Sequence, residues 1–132
     1  TFACIAAYAP LANLGLFLGD SEMAYGGNSF VAAYWRRVFG GDISADERRR
    51  LDDISPFYNA ANFRAPVLLM HGRDDSVVPI SQSRRMEDAL DDAGKDVTYI
   101  EMRGADHWLT SRQTRLDVLG ALESFLAEHI GD

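Results

Sequence analysis

A continuous apolar run at residues 66–70 is the feature of this sequence that most constrains its fold. The run reads Pro-Val-Leu-Leu-Met and is followed at once by His71 and Gly72. A short strand without polar alternation is typical of the middle of a parallel sheet, where helices cover both faces. We therefore predict a parallel sheet with this strand near its centre, and Asp75 lies just beyond the strand's carboxyl end.

The segments on either side predict the rest of an α/β domain. Residues 2–8 form a second apolar run closed by Pro10, and residues 97–102 mix polar and apolar positions as a strand near the edge does. The order strand, helical insertion, strand, helix, strand, helix is that of a parallel sheet covered by helices. Helices are predicted at residues 28–39, 45–54, 80–93 and 111–130, with capping boxes at 44–47 and 110–113.

Three finer expectations concern packing and helix limits. Residues 12–27 contain several glycines and no sustained period, so they are predicted to be irregular. Glycines at 40–41 are predicted to end the helix before them. Tyr34 and Trp35 lie on an apolar helix face and are expected in the core. The closing helix is expected to bury an apolar stripe formed by Leu116, Leu119, Leu122, Leu126 and Ile130.

Composition limits the classes of partner. With 132 residues and 47% apolar content the chain can form one compact domain, and its net charge of −7 provides no basic stripe for nucleic acid. Cys4 stands alone, which excludes a disulfide within the chain and a multi-thiolate zinc site. Residues 1–19 are uncharged, but Pro10, Asn13 and Gly15 interrupt them, so neither a membrane span nor a signal peptide is expected there.

Asp75 and His107 are the residues best placed to carry chemistry. Each is predicted to follow the carboxyl end of a strand, where the reactive groups of parallel sheets gather. The separation of 32 residues (107 − 75) accommodates a loop, a helix, a strand and a short loop. A carboxylate can orient an imidazole and stabilise its protonated form while the imidazole takes a proton from a nucleophile. The alternative is structural: Asp75 would cap the helix that begins near Ile80, and His107 would face solvent.

Four motifs spread over most of the chain share one resemblance. They are Ser-Pro at residues 55–56, Pro-Val-Leu-Leu-Met-His-Gly at 66–72, Asp-Ser-Val-Val-Pro at 75–79 and Gly-Ala-Asp-His-Trp at 104–108. Together they resemble the C-terminal part of the prolyl oligopeptidase family of serine peptidases. The resemblance implies an α/β-hydrolase catalytic domain, usually preceded by a β-propeller, that cleaves short peptides. It also implies that Asp75 is the triad acid and His107 the triad base, in the chain order that α/β-hydrolases use.

The chain departs from the family pattern in two places, of which the second decides activity. Many members have glycine where this chain has Asp106, whose carboxylate we expect to point to water. A nucleophile elbow needs Gly-x-Ser-x-Gly, and Ser21 and Ser29 each have only the first of those glycines. Residues 1–132 are therefore predicted to be the C-terminal part of the catalytic domain, with the nucleophile and oxyanion-hole donors in an upstream part. Taken alone, the chain is expected to be inactive and, as a half-sheet, prone to self-association.

The remaining candidate residues carry weaker signals. His71 invites a metal hypothesis with nearby aspartates and His107, but dedicated ligand spacing is absent from the sequence, so no metal or other cofactor is expected. The resemblance instead makes His71 a strand-end histidine that supports the Asp75 loop. Trp108 either lines a substrate pocket or packs under the closing helix. His129 lies in the last turn of that helix, where a cation suits the dipole.

These patterns predict a serine hydrolase that cleaves a peptide or an N-terminally blocked amino acid through an acyl-enzyme. A carboxylesterase or a dienelactone-hydrolase-like enzyme stays open, because the acid and base motifs do not reveal the leaving group. A non-catalytic module that pairs with the upstream part or with a second copy through its sheet edge also stays open. The compartment, cytoplasmic or periplasmic, is left open by the sequence.

Overall fold

Three parallel strands form the centre of the fold. The computed structural model describes residues 2–39 and 45–131. Tyr8 lies opposite Met70 in the register of the first two strands, and every residue of the middle strand is buried, which confirms the predicted central strand. All three carboxyl ends point to the same edge of the sheet. The strands lie side by side in chain order: β1 (Ile5–Tyr8), β2 (Val67–Gly72) and β3 (Val97–Met102).

Helices fill the connections between the strands, which confirms the predicted α/β class with a helical insertion after the first strand. The insertion consists of α1 (Leu14–Tyr25), α2 (Phe30–Phe39), α3 (Ala45–Ile54) and a 3-10 helix (Pro56–Asn62). The later helices are α4 (Ser81–Asp92), between β2 and β3, and α5 (Arg112–Ile130), after β3. The predicted stop at residues 40–41 and the cap residue Ser44 lie outside the described residues.

Side chains of β2 alternate between two apolar clusters, one on each face of the sheet. The first cluster joins β2 to α4 and contains Val67, Leu69, Met86 and Leu90. The second joins β2 to α5 and contains Leu68, Met70, Val118 and Phe125. Burying one apolar side chain of this size contributes about 1.5–3 kcal/mol. The two clusters therefore fix β2, and with it the start of the loop that carries Asp75.

Helix α1 corrects the prediction that residues 12–27 are irregular. Asn13 caps the helix, because its Oδ1 accepts the N–H of Leu16 at 2.9 Å. Phe17 is buried and meets Trp35 edge to face, with ring centroids 4.9 Å apart. Burial of this face outweighs the helix-weakening effect of the glycines, so the segment is helical without a regular apolar period.

Two helix faces are turned differently from the sequence-based expectation. Trp35 is partly buried in an aromatic cluster, but Tyr34 is half exposed, so the expectation of a core position is wrong for Tyr34. The predicted stripe of α5 is also wrong at Leu116, Leu119 and Ile130, each of which is at least half exposed. The helix instead turns a different face towards β2, with these buried positions: Thr114, Val118 and Phe125.

Candidate active site

The carboxylate of Asp75 is buried in the loop that follows β2. Its Oδ1 accepts the backbone N–H groups of Val77 and Val78, both at 2.8 Å. The side chain has 0% exposure. Two backbone donors offset part of the cost of burying a carboxylate and fix its orientation. The second oxygen, Oδ2, is left to accept from another group.

His107 meets that second oxygen. His107 Nδ1 lies 2.9 Å from Asp75 Oδ2, and the imidazole is 30% exposed. When Nδ1–H donates to the carboxylate, the neutral ring carries its free lone pair on Nε2. The structure thus brings together the two residues that the sequence predicted as acid and base. Asp75 does not cap α4, because its Oδ1 accepts from the loop before that helix and no side chain caps the helix start.

His71, near the end of β2, supports the loop that carries Asp75, as the sequence predicts. The ring is fully buried; Nε2 lies 3.0 Å from the carbonyl oxygen of Val78, and Nδ1 lies 2.7 Å from the hydroxyl of Ser83. Burial lowers the pKa of His71, so the ring is neutral near pH 7. A neutral ring fits both contacts, with Nε2–H donating to Val78 and Nδ1 accepting from Ser83. Both ring nitrogens of His71 are thereby engaged, one by the loop at Val78 and one by α4 at Ser83.

Close backbone contacts join the histidine loop (residues 103–111, between β3 and α5) to the acid loop (residues 73–80, between β2 and α4). The N–H of Asp74 donates to the carbonyl oxygen of Ala105 at 3.1 Å. Gly72 makes this approach possible, because a Cβ at that position would overlap the same carbonyl oxygen. Gly104 has a φ of +69°, a conformation that glycine adopts without strain, and it turns the chain from β3 into the histidine loop.

Tyr8 is a residue of this site that sequence reasoning missed. It ends β1, and its phenol donates to the carbonyl oxygen of Asp106 at 2.7 Å. Burial, together with the negative charges of Asp75 and Asp106, raises the pKa of Tyr8, so the phenol keeps its proton. The only signal in the sequence is its place at the end of an apolar strand.

The two residues next to His107 in the sequence make contacts of their own. The carboxylate of Asp106 accepts the N–H of Thr110 at 2.9 Å and its hydroxyl at 2.7 Å, and these bonds lower the pKa of Asp106. Thr110 is thus engaged by Asp106, and the predicted capping box at 110–113 is wrong; Ser111 takes the position before α5.

Trp108 is 68% exposed and contacts the His107 ring edge to face, with centroids 5.5 Å apart, so it does not pack under α5.

Other sequence-based candidates have ordinary structural positions. The hydroxyl of Ser21 donates to the carbonyl oxygen of Phe17 inside α1, and the hydroxyl of Ser29 accepts the N–H of Ala32 at the start of α2. His129 packs edge to face against Phe125 in α5. Within residues 2–39 and 45–131, no cluster of three or more His, Cys, Asp or Glu side chains could hold a metal ion. None of the helices in those residues is long and apolar enough to span a membrane.

Fold and site together define a class of protein. They describe an α/β-hydrolase domain in which an aspartate and a histidine follow neighbouring parallel strands in the chain order of that fold. The sequence model of the prolyl oligopeptidase family matches residues 1–132. The chain belongs to the prolyl oligopeptidase family.

Individual relatives include peptidases and esterases. The uncharacterized peptidase YuxL of Bacillus subtilis is 30% identical over 88 residues, which are 64% of this chain and 13% of that protein. Esterase YjfP of Escherichia coli is 36% identical over 67 residues, which are 49% of this chain and 25% of that protein. A solved puromycin-hydrolyzing peptidase of Mycobacterium tuberculosis is 25% identical with a TM-score of 0.80, covering 97% of this chain and 18% of that one. The chain therefore spans a minor part of the length of these relatives.

Proposed function

We propose that the chain supplies the acid and the base of a serine peptidase that cleaves short peptides or N-terminally blocked amino acids through an acyl-enzyme. The observation that carries this proposal is the 2.9 Å contact between His107 Nδ1 and Asp75 Oδ2. The Asp75 carboxylate is buried, whereas the His107 imidazole is partly exposed to solvent. An acid–base pair needs this asymmetry, because the acid must hold its charge in place while the base exchanges protons with a substrate.

The pair would act in two steps on a nucleophilic serine. His107 Nε2 takes the serine proton as the serine oxygen bonds to the scissile carbonyl carbon, and it then gives that proton to the leaving amine as the carbon–nitrogen bond breaks. Water attacks the acyl-enzyme in the second step, with His107 again as base, and releases the acid and the free serine. Asp75 stabilises the protonated imidazole throughout. No serine of this sequence lies in Gly-x-Ser-x-Gly, so we place the nucleophile and oxyanion-hole donors outside residues 1–132.

An esterase is the second candidate function. The Asp75–His107 pair does not discriminate between amide and ester leaving groups, and the esterase of Escherichia coli shares 36% identity over 67 residues. The distinction depends on how strongly the enzyme protonates the leaving group, because an amine leaves only with a proton whereas an activated phenolate leaves without one.

His107→Ala in the full-length protein tests the proposed function. We expect kcat/KM for a peptide p-nitroanilide to fall by roughly a thousandfold or more, as for removal of a triad member. The control is His129→Ala, in the last turn of α5, which should leave hydrolysis unchanged. Equal activity of His107→Ala and the unsubstituted protein would refute the proposal. Hydrolysis of p-nitrophenyl esters alone, without any amide hydrolysis, would favour the esterase.

A further inference from the structure

We propose that Tyr8 is a positioning residue for His107, acting through a hydrogen bond to the backbone that carries the histidine. The inference rests on the proposed function, since it concerns the same acid–base pair. The phenol donates to the carbonyl oxygen of Asp106, the residue immediately before His107, at 2.7 Å. Strand β1, which precedes neither Asp75 nor His107, would thus help to fix the geometry of that pair.

The hydroxyl of Tyr8 lies in a confined place between the end of β2 and the histidine loop. A Cβ on Gly72 would lie 2.9 Å from this oxygen and would also overlap the carbonyl oxygen of Ala105. The missing side chain of Gly72 therefore makes room for both the phenol and the loop. β1 and β2 pair through Tyr8 and Met70, so the phenol is attached to a rigid part of the sheet.

Protonation and charge keep the phenol in the role of donor. Burial and the charges of Asp75 and Asp106 raise the pKa of Tyr8, so the phenol stays protonated through neutral and mildly alkaline pH. The carboxylate of Asp106 is occupied by Thr110, which leaves the Asp106 carbonyl oxygen as the acceptor for Tyr8. A phenylalanine at position 8 would leave this partly buried carbonyl without that donor.

Loss of this bond should affect chemistry more than substrate binding. His107 Nδ1 has to stay on Asp75 Oδ2 while Nε2 faces the reacting groups, and misplacement by about 1 Å can cost roughly a hundredfold in rate. A loosened histidine loop should therefore slow proton transfer. The effect should be largest for amides, because their leaving group must receive a proton from the imidazole.

Tyr8→Phe in the full-length protein tests this inference. We expect kcat for a peptide p-nitroanilide to fall about three- to thirtyfold, as for the loss of one partly buried hydrogen bond that orients a base, with KM within about twofold. Hydrolysis of an activated p-nitrophenyl ester should fall less. Tyr58→Phe is the matched control, because Tyr58 is an exposed tyrosine on the 3-10 helix, and it should leave both rates unchanged.

The outcomes distinguish a failure of the Tyr8 inference from a failure of the proposed function. An unchanged amide kcat in Tyr8→Phe, beside a His107→Ala variant that is inactive, would overturn the role of Tyr8 alone. An active His107→Ala variant would instead overturn the proposed function. Equal losses on amide and ester, or a Tyr8→Phe protein that fails to fold, would show that the hydroxyl serves the fold rather than the alignment of His107, and would also overturn the inference.

Discussion

The two oxygens of the Asp75 carboxylate have different hydrogen-bond partners. Backbone N–H groups of the acid loop hold Oδ1, and His107 meets Oδ2. The sequence could indicate Asp75 and His107, because each follows a predicted strand and lies in a motif that resembles the family pattern. It could not indicate Tyr8, since that contact joins residues 98 positions apart and depends on the register between β1 and β2.

Gly72 is the residue whose replacement should most disturb the site without removing any functional group. In Gly72→Ala the new methyl group meets the carbonyl oxygen of Ala105, and the crowding should lower the free energy of unfolding by about 1–3 kcal/mol. The histidine loop must move to relieve the overlap, so hydrolysis should fall further than stability explains. Urea unfolding and the kcat of the folded fraction, measured on the same preparation, check this.

Gly120→Ala is the matched control for Gly72→Ala. Gly120 lies within α5, and a Cβ there would meet nothing within 4 Å. Alanine in an open helical position should stabilise the fold by about 0.5–1 kcal/mol. A Gly72→Ala protein as stable and active as Gly120→Ala would contradict the close contact between the two loops.

At the scale of elements, an ionic cluster joins β3 to α4 and to the end of β2. Glu101 on β3 accepts from Arg84 of α4 at 2.6 Å and from Arg73, beyond β2, at 2.9 Å. These partners, Arg84 first, lower the pKa of Glu101 from 4.5 to about 2. The same cluster includes Tyr99, whose pKa is raised to about 12 by burial and by Glu101.

The lowered pKa of Glu101 predicts how stability changes in acid. A carboxylate with a lower pKa in the folded state stabilises the fold above its unfolded value of about 4.5, and this contribution is lost as the pH falls towards about 2. Glu101→Gln should therefore be less stable than the unsubstituted protein at pH 7, and the difference should shrink in acid. Urea unfolding at several pH values measures it, with the exposed Glu123→Gln as control. A difference that does not depend on pH would contradict the ionic cluster.

For the whole molecule, the sequence predicts the sheet better than the helix faces. The runs that became β2 and β3 are short and bounded by clear breakers, so their place and order follow from pattern alone. Helix α1 was missed because burial of Phe17, rather than a regular period, stabilises it. The sequence predicts the wrong buried face for α5, because leucines of this helix occupy exposed positions. Only the packing against β2 shows that Val118 and Phe125 point inward.

The central claim for the whole molecule is that Asp75 and His107 activate a serine outside these residues. The most direct measurement is labelling of the full-length protein with a fluorophosphonate, followed by mass spectrometry to find the labelled residue. We predict one labelled serine outside residues 1–132, with labelling abolished by Asp75→Asn or His107→Ala. A label on a serine within residues 1–132, or labelling that survives both substitutions, would contradict the claim.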